Sequence, residues 1–176
     1  MSDMKGNLSF RLMSLAFVLR DLLSPPQGIL AEVGIKPGDQ VLDFGCGPGS
    51  FTLAAAAMVG AAGKVHALDV SPAAIRQTRA RAASKGLTQV ETILSDGATG
   101  LPPASVDAIL LYDTLHDLRQ PDAVLAELHR VLKPGGILSV SDHHLKHEQL
   151  VSQVAGSGRY ALAAKGKKTY IFLSFP

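Results

Sequence analysis

Val41-Leu42-Asp43-Phe44-Gly45-Cys46-Gly47-Pro48-Gly49 decides the fold. An apolar strand over 40–44 runs into a G-x-G-x-G turn, and the Ala-rich stretch 50–59 behind it reads as a helix. Glycines suit this place because the backbone must turn sharply and lie against a ligand with no Cβ in the way. The N–H groups of such a turn, and the first turn of the helix, face the crevice at the carboxyl end of the strand. That is where α/β sheets bind ligands.

Outward from this turn, apolar runs of strand length alternate with helical stretches. Residues 64–68 read as a second strand ending at Asp69. Ser71-Pro72 opens a helix, with Ser as its cap and Pro in its first turn, and the helix runs to about Lys85, where Gly86 stops it. Strands follow at 90–94, 106–112 and 137–141, with a helix at 122–132 and another at 147–155. Residues 160–165 and 169–173 read as two strands joined by a tight turn around Gly166-Lys167, too close for a helical crossover and so antiparallel. Strands alternating with helices predict an α/β fold: a Rossmann-like, doubly wound, mostly parallel sheet with both faces covered.

A chain of 176 residues has room for one sizeable core but not comfortably for two. Lys and Arg number 17 against 15 Asp and Glu, a balance that points away from nucleic acid and from a membrane surface. Cys46 is the single cysteine, so no internal disulfide is predicted and a reducing, cytoplasmic setting fits. Residues 12–19 are largely apolar behind Arg11, but Arg20 and Asp21 follow without a small-residue cleavage site. The run is also far short of the ~20 residues that cross a bilayer. Residues 9–23 are predicted to form an amphipathic helix carrying Phe10, Met13 and Phe17 on one face, without stable membrane insertion. This divides the chain into a helical cap, 1–27, and a ligand-binding domain, 28–176.

Asp69 stands one βα unit after the glycine turn, where a carboxylate can accept hydrogen bonds from both ribose hydroxyls of an adenosine ligand; an Asp after a strand is by itself usually a helix cap, but this placement favours the ribose ligand. Asp96, in Ser95-Asp96-Gly97 after the third strand, can accept from an adenine amine, with Gly97 keeping the backbone close, or can simply make a turn. Tyr112, Asp113 and His116 follow the fourth strand, and Asp142, His143 and His144 the fifth. His116 is a candidate general base or gate. His143, His144 and His147 with Asp142 and Glu148 have metal-ligating chemistry. But adjacent histidines on a strand point to opposite faces and no cysteine joins them, so no metal is predicted.

Asp43 through Gly49, Asp69, Asp96-Gly97 and the stretch Leu125-Ala126-Glu127-Leu128-His129-Arg130-Val131-Leu132-Lys133-Pro134-Gly135-Gly136 together resemble the class I S-adenosylmethionine-dependent methyltransferases, in the branch acting on small molecules and quinone precursors. The resemblance covers roughly residues 28–174. It implies a seven-stranded sheet with an antiparallel last strand, and S-adenosyl-L-methionine across the carboxyl ends of the first strands. By matched position, Gly45, Cys46, Gly47 and Gly49 line the methionine part and Asp43 orients its amine, directly or through water. Asp69 holds the ribose, Val70 packs on the adenine, and Asp96 binds the adenine amine. His116, His143 and Tyr112 fall where a small-molecule acceptor meets the methyl group and are the candidate catalytic residues. Lys133-Pro134-Gly135-Gly136 is expected as a turn into the fifth strand.

Two other readings compete. One is a cofactor-binding protein without catalysis. The other is a nicotinamide-dependent oxidoreductase, whose G-x-G-x-x-G would need glycine where Ser50 stands. The segment between the fifth strand and the next helix is too short to cover an acceptor. The helix predicted over 9–23 is therefore expected to serve as a lid, and a homodimer stays open.

Overall fold

The structure, a computed structural model, describes residues 25–175; the predicted lid helix over 9–23 lies outside the described residues. Pro26–Leu30 forms a short helix, α1, with Pro26 at its first position, where a missing N–H costs nothing. The core elements follow as β1 (Gln40–Phe44), α2 (Ser50–Val59), β2 (Lys64–Asp69), α3 (Pro72–Ser84), β3 (Val90–Leu94) and β4 (Val106–Tyr112). After a 3-10 turn at Leu115–Asp117 come α4 (Pro121–Val131), β5 (Leu132–Ser141), α5 (His147–Ala155), β6 (Tyr160–Lys165) and β7 (Tyr170–Ser174).

The seven strands lie in the order β3-β2-β1-β4-β5-β7-β6. β1 pairs in parallel with β2 and β4, and β7 runs antiparallel to both β5 and β6. The order reverses between β1 and its two neighbours, so the crevice opens at the carboxyl end of β1, where the glycine turn stands.

Both faces are covered, and the strands show it by alternation. Leu42, Phe44, Ile109 and Leu111 face a core shared with Leu125 and Leu128 of α4 and Leu150 and Val154 of α5. Val41, Ala108, Leu110 and Tyr112 face the other way, onto Ala54, Ala55, Ala56 and Val59 of α2 and Leu30 and Val33 near α1. Alanine on α2 lets that helix lie close to the sheet. Ser71 caps α3, its hydroxyl accepting from Ala74 N at 3.4 Å, and Gly86 takes a positive φ just past the helix end.

Two details differ from the sequence reading. α4 passes into β5 with no intervening loop. The expected turn at Lys133-Pro134-Gly135-Gly136 is a bulge within that strand: Leu132 pairs with Val106 and Ile137 with Ala108, so the residues between loop out, with Gly135 at φ 73°. At the far edge, Glu32 accepts hydrogen bonds from Lys167 N (3.0 Å), Lys168 N (3.4 Å) and Thr169 Oγ1 (2.6 Å), tying the chain after α1 to the β6–β7 turn.

Candidate active site

A cleft of about 1030 Å³ runs along the carboxyl ends of β1, β2, β3 and β4. Gly45, Cys46, Gly47, Pro48, Ser50 and Phe51 form its floor, Asp69 and Val70 one wall, and Asp96, Gly97 and Ala98 the end beyond β3. Asp113, Thr114, Asp117, Leu118 and Arg119 form the opposite wall, with Val124 and Glu127 of α4 behind them.

The turn glycines divide between two tasks. A Cβ on Gly49 would stand 2.7 Å from Thr78 Oγ1 and 2.9 Å from its Cγ2, at φ +84°; one on Gly45 would run into the Thr114 side chain. These two glycines admit close packing within the protein itself. A Cβ on Gly47 would meet no protein atom within 4 Å. Gly47 lines the cleft with open space where a Cβ would stand, although its φ of +51° strains any side chain there. Its N–H is already engaged, donating to Asp69 Oδ2 at 2.8 Å, while Ser71 N donates to Oδ1 at 2.8 Å. The Asp69 carboxylate thus braces the turn and starts α3, yet each oxygen keeps a second lone-pair site for a ligand hydroxyl. Next to it Val70 is 67% exposed, an apolar side chain left open to the cleft.

Asp43 does not reach the cleft wall. It lies beneath the turn, 2% exposed, with Oδ2 accepting from Thr52 Oγ1 at 2.5 Å. Burial, opposed by the Thr52 hydroxyl and reinforced by the Asp69 charge, pushes its carboxyl up to about 7. Cys46 is buried, its Sγ 3.9 Å from Thr78 Oγ1, and burial with the nearby Asp43 and Asp69 carboxylates raises its thiol well above the ordinary range. Asp96 and Gly97 line the cleft as expected.

Tyr112 contributes its ring to the wall, edge-on to Phe51 at 4.6 Å, but its hydroxyl is turned into the core against Ser139 Oγ at 2.8 Å. Burial raises that phenol further, so it is held neutral and already hydrogen-bonded. The geometry makes Tyr112 part of the wall; a proton carrier needs a free hydroxyl.

The loops after β4 and β5 grip each other crosswise. Asp142 Oδ2 accepts from His116 N (3.0 Å) and lies 2.9 Å from His116 Nδ1. Asp113 Oδ1 accepts from His143 N (3.2 Å) and lies 2.6 Å from His143 Nδ1. Each loop thus supplies one aspartate and one histidine, and each aspartate takes both the main chain and the ring of its partner. The His144 ring lies between the two, with centroids 4.1 Å from His116 and 3.9 Å from His143. His147 is elsewhere, stacked on Tyr170 at 5.0 Å. Among the described residues no group of three or more His, Cys, Asp or Glu is arranged to hold a metal ion.

Sequence reasoning missed several wall residues. Glu127 is one: its Oε1 accepts from Thr99 N (3.1 Å) and Thr99 Oγ1 (2.5 Å), and Arg130 Nε donates to Oε2 at 2.6 Å, fixing the loop after Asp96. The arginine and threonine hydrogen bonds outweigh partial burial and hold this carboxyl down at about 2. A signal was present, since Glu127 stands three residues after buried Val124 and four before buried Val131, on the apolar stripe of an amphipathic helix. Leu118 and Arg119 carried no comparable mark.

A family described as a methyltransferase domain matches residues 35–172. The chain belongs to the methyltransferase family. A crystal structure of an S-adenosylmethionine-dependent methyltransferase from Aquifex aeolicus superimposes with a TM-score of 0.77 at 29% identity, covering 88% of this methyltransferase and 91% of that chain. A ubiquinone/menaquinone biosynthesis C-methyltransferase of Cupriavidus necator is 32% identical over 111 residues, 63% of this chain and 46% of its own length. A demethylmenaquinone methyltransferase of Symbiobacterium thermophilum is 33% identical over 109 residues, 61% of this chain and 43% of its own. The match thus spans less than half the length of these two relatives. No helix among the described residues is long and apolar enough to cross a membrane.

Proposed function

We propose that this methyltransferase transfers a methyl group from S-adenosyl-L-methionine to a small quinone-type acceptor. The observation that carries the reading is the cleft at β1 and β2: a turn whose cleft-lining Gly47 has open space where a Cβ would stand, a braced carboxylate with spare lone pairs, and an exposed apolar residue in sequence after it. These features suit a nucleoside carrying a polar tail. The quinone class rests on the named activities of the two relatives, and the near-even charge of the chain fits a small acceptor better than nucleic acid.

In this reading Asp69 holds the ribose hydroxyls, Val70 and Leu118 flank the adenine, and Asp96 accepts from its amine. Gly45, Cys46, Gly47 and Gly49 border the methionine part. Asp43 acts from beneath the turn, as a carboxylate that ionises to meet the ligand's positive charge. The bound cofactor supplies a methyl carbon already activated by its sulfonium. The protein's work is to align an acceptor atom with that carbon, exclude water and receive one proton. His116 and His143, on the loops after β4 and β5, are the candidates for that proton: neither ring lines the cleft itself, but Asp117 beside His116 and Asp113 beside His143 do.

Calorimetric titration tests the cofactor assignment. S-adenosylhomocysteine is expected to bind and to raise the melting temperature, whereas NADH is not. Asp69→Ala should weaken that binding by roughly 1.5–3 kcal/mol, the range for hydrogen bonds to a charged group. Stabilisation by NADH alone would overturn the reading.

A further inference from the structure

The crossed loops hold two Asp–His pairs of the same design in very different surroundings. The Asp142 side chain is 0% exposed and that of His116 21%; the Asp113 side chain is 31% exposed and that of His143 69%. A carboxylate in a low-dielectric interior acts more strongly on its partner than one screened by water. Asp142 is also the better anchored. Its Oδ2 meets His116 twice and its Oδ1 accepts from His144 N at 3.0 Å. Those hydrogen bonds outweigh the opposing effect of burial and keep its carboxyl below the usual range. A carboxylate can only accept, so His116 Nδ1 must carry the hydrogen and, in the neutral ring, Nε2 the lone pair. Nε2 lies 3.5 Å from Asp117 Oδ2, on a cleft-lining side chain that is 81% exposed. The His143 ring, by contrast, stands mostly in solvent.

We propose that Asp142 is a positioning residue that locks His116 in the Nδ1–H tautomer, making His116 Nε2, and not His143, the proton acceptor of methyl transfer. This rests on the methyl-transfer reading above. As the acceptor's electron pair forms its bond to the methyl carbon, the C–S pair returns to sulfur. The proton that the acceptor loses goes to Nε2, giving an imidazolium held by Asp142, and then passes to water beside Asp117. The Asp113–His143 pair is the outer half of the clasp and only joins the loops.

Long-range proton–nitrogen NMR of the full chain with 15N-labelled histidine reads the tautomer without any acceptor. At pH 8, His116 is expected mainly as Nδ1–H. In Asp142→Asn it should revert towards the Nε2–H form that free histidine prefers, with S-adenosylhomocysteine affinity within about twofold of the parent. With reduced short-chain demethylmenaquinone as the probe, Asp142→Asn should lower kcat by roughly tenfold or more at unchanged KM for S-adenosylmethionine, and Asp113→Asn by less than about threefold. His116 found mainly as Nε2–H in the parent protein overturns the proposal, and so do equal losses in the two asparagine variants. If the parent does not methylate the quinol, the acceptor class proposed above fails, while the tautomer still decides the role of Asp142.

Discussion

The two halves of the carboxyl rim are built by different means. On the β1–β2 side the turn is held by main-chain N–H groups on one carboxylate, Asp69, and by glycines whose missing side chains leave room for Thr78 and Thr114. On the β4–β5 side the loops are held by side chains, two aspartates crossed with two histidines. The first half is fixed by main-chain hydrogen bonds and close packing. The second is held by groups that titrate and that can be exchanged one at a time. A fold that binds one cofactor while meeting varied acceptors would be expected to divide its rim in this way, since side-chain pairs change more readily than a backbone turn.

The sharpest test of the contrast lies within the turn. Gly49→Val should cost about 3 kcal/mol or more, from overpacking against buried Thr78 and from a strained positive φ. Gly47→Ala should cost only about 1 kcal/mol from its backbone conformation, yet lose most affinity for S-adenosylhomocysteine. Paired urea melts and titrations check both. Equal damage to fold and binding in the two variants would erase the division between packing and ligand glycines.

Next in size is the clasp. Asp142 has a lowered carboxyl, so its stabilising contribution is full above its unfolded-state value and fades as pH falls through and below about 4. Asp142→Asn should cost about 1.5–3 kcal/mol at pH 7 and flatten the acid limb of the stability curve. Asp43, on the other half, has the opposite sign. Its carboxyl is raised to about 7, so the free protein loses stability as pH climbs from about 4 towards 7. Asp43→Asn should therefore raise the melting temperature of the free protein at pH 8 while weakening cofactor binding. Thermal melts at pH 5 and pH 8 separate the two aspartates. The smallest effect is expected on the sheet's surface, where Lys64 Nζ meets Glu91 Oε1 at 2.6 Å between exposed side chains. Glu91→Gln should change stability by less than about 1 kcal/mol in denaturant melts.

The same contrast explains what could be read from the sequence. β1 and its glycine turn were legible because backbone geometry demands particular residues at particular places, and Asp69 was legible by its distance along one βα unit. The clasp was legible only as a list of histidines. Nothing in the spacing of Asp113, His116, Asp142 and His143 says that they pair crosswise, because the pairing is set by the neighbouring of β4 and β5 and by Asp113 taking a positive φ of 48°. Tyr112 reads as a candidate catalytic residue because it ends β4 beside the cleft. Its hydroxyl turns inward because Ser139, its partner on β5, lies at hydrogen-bonding distance. Asp43 read as a ligand contact, but strand alternation points it at α2 and Thr52, one layer below the surface. The bulge at 133–136 looked like a turn because Pro and Gly mark both.

The sheet order also constrains how the chain can be made. β7 lies between β5 and β6, although it follows both in sequence. During synthesis the five parallel strands can pair as soon as Ser141 has emerged, but β6 then has no neighbour to join. Its place opens only when β7 arrives, and the Glu32 clasp on Thr169, spanning 137 positions of sequence, closes at the same moment. Until then β5 exposes a bare edge, a template for pairing with any other strand nearby. β7 is thus the stretch that finishes the sheet, and a chain stalled before Tyr170 would carry a nearly complete cofactor cleft on an unfinished, aggregation-prone scaffold.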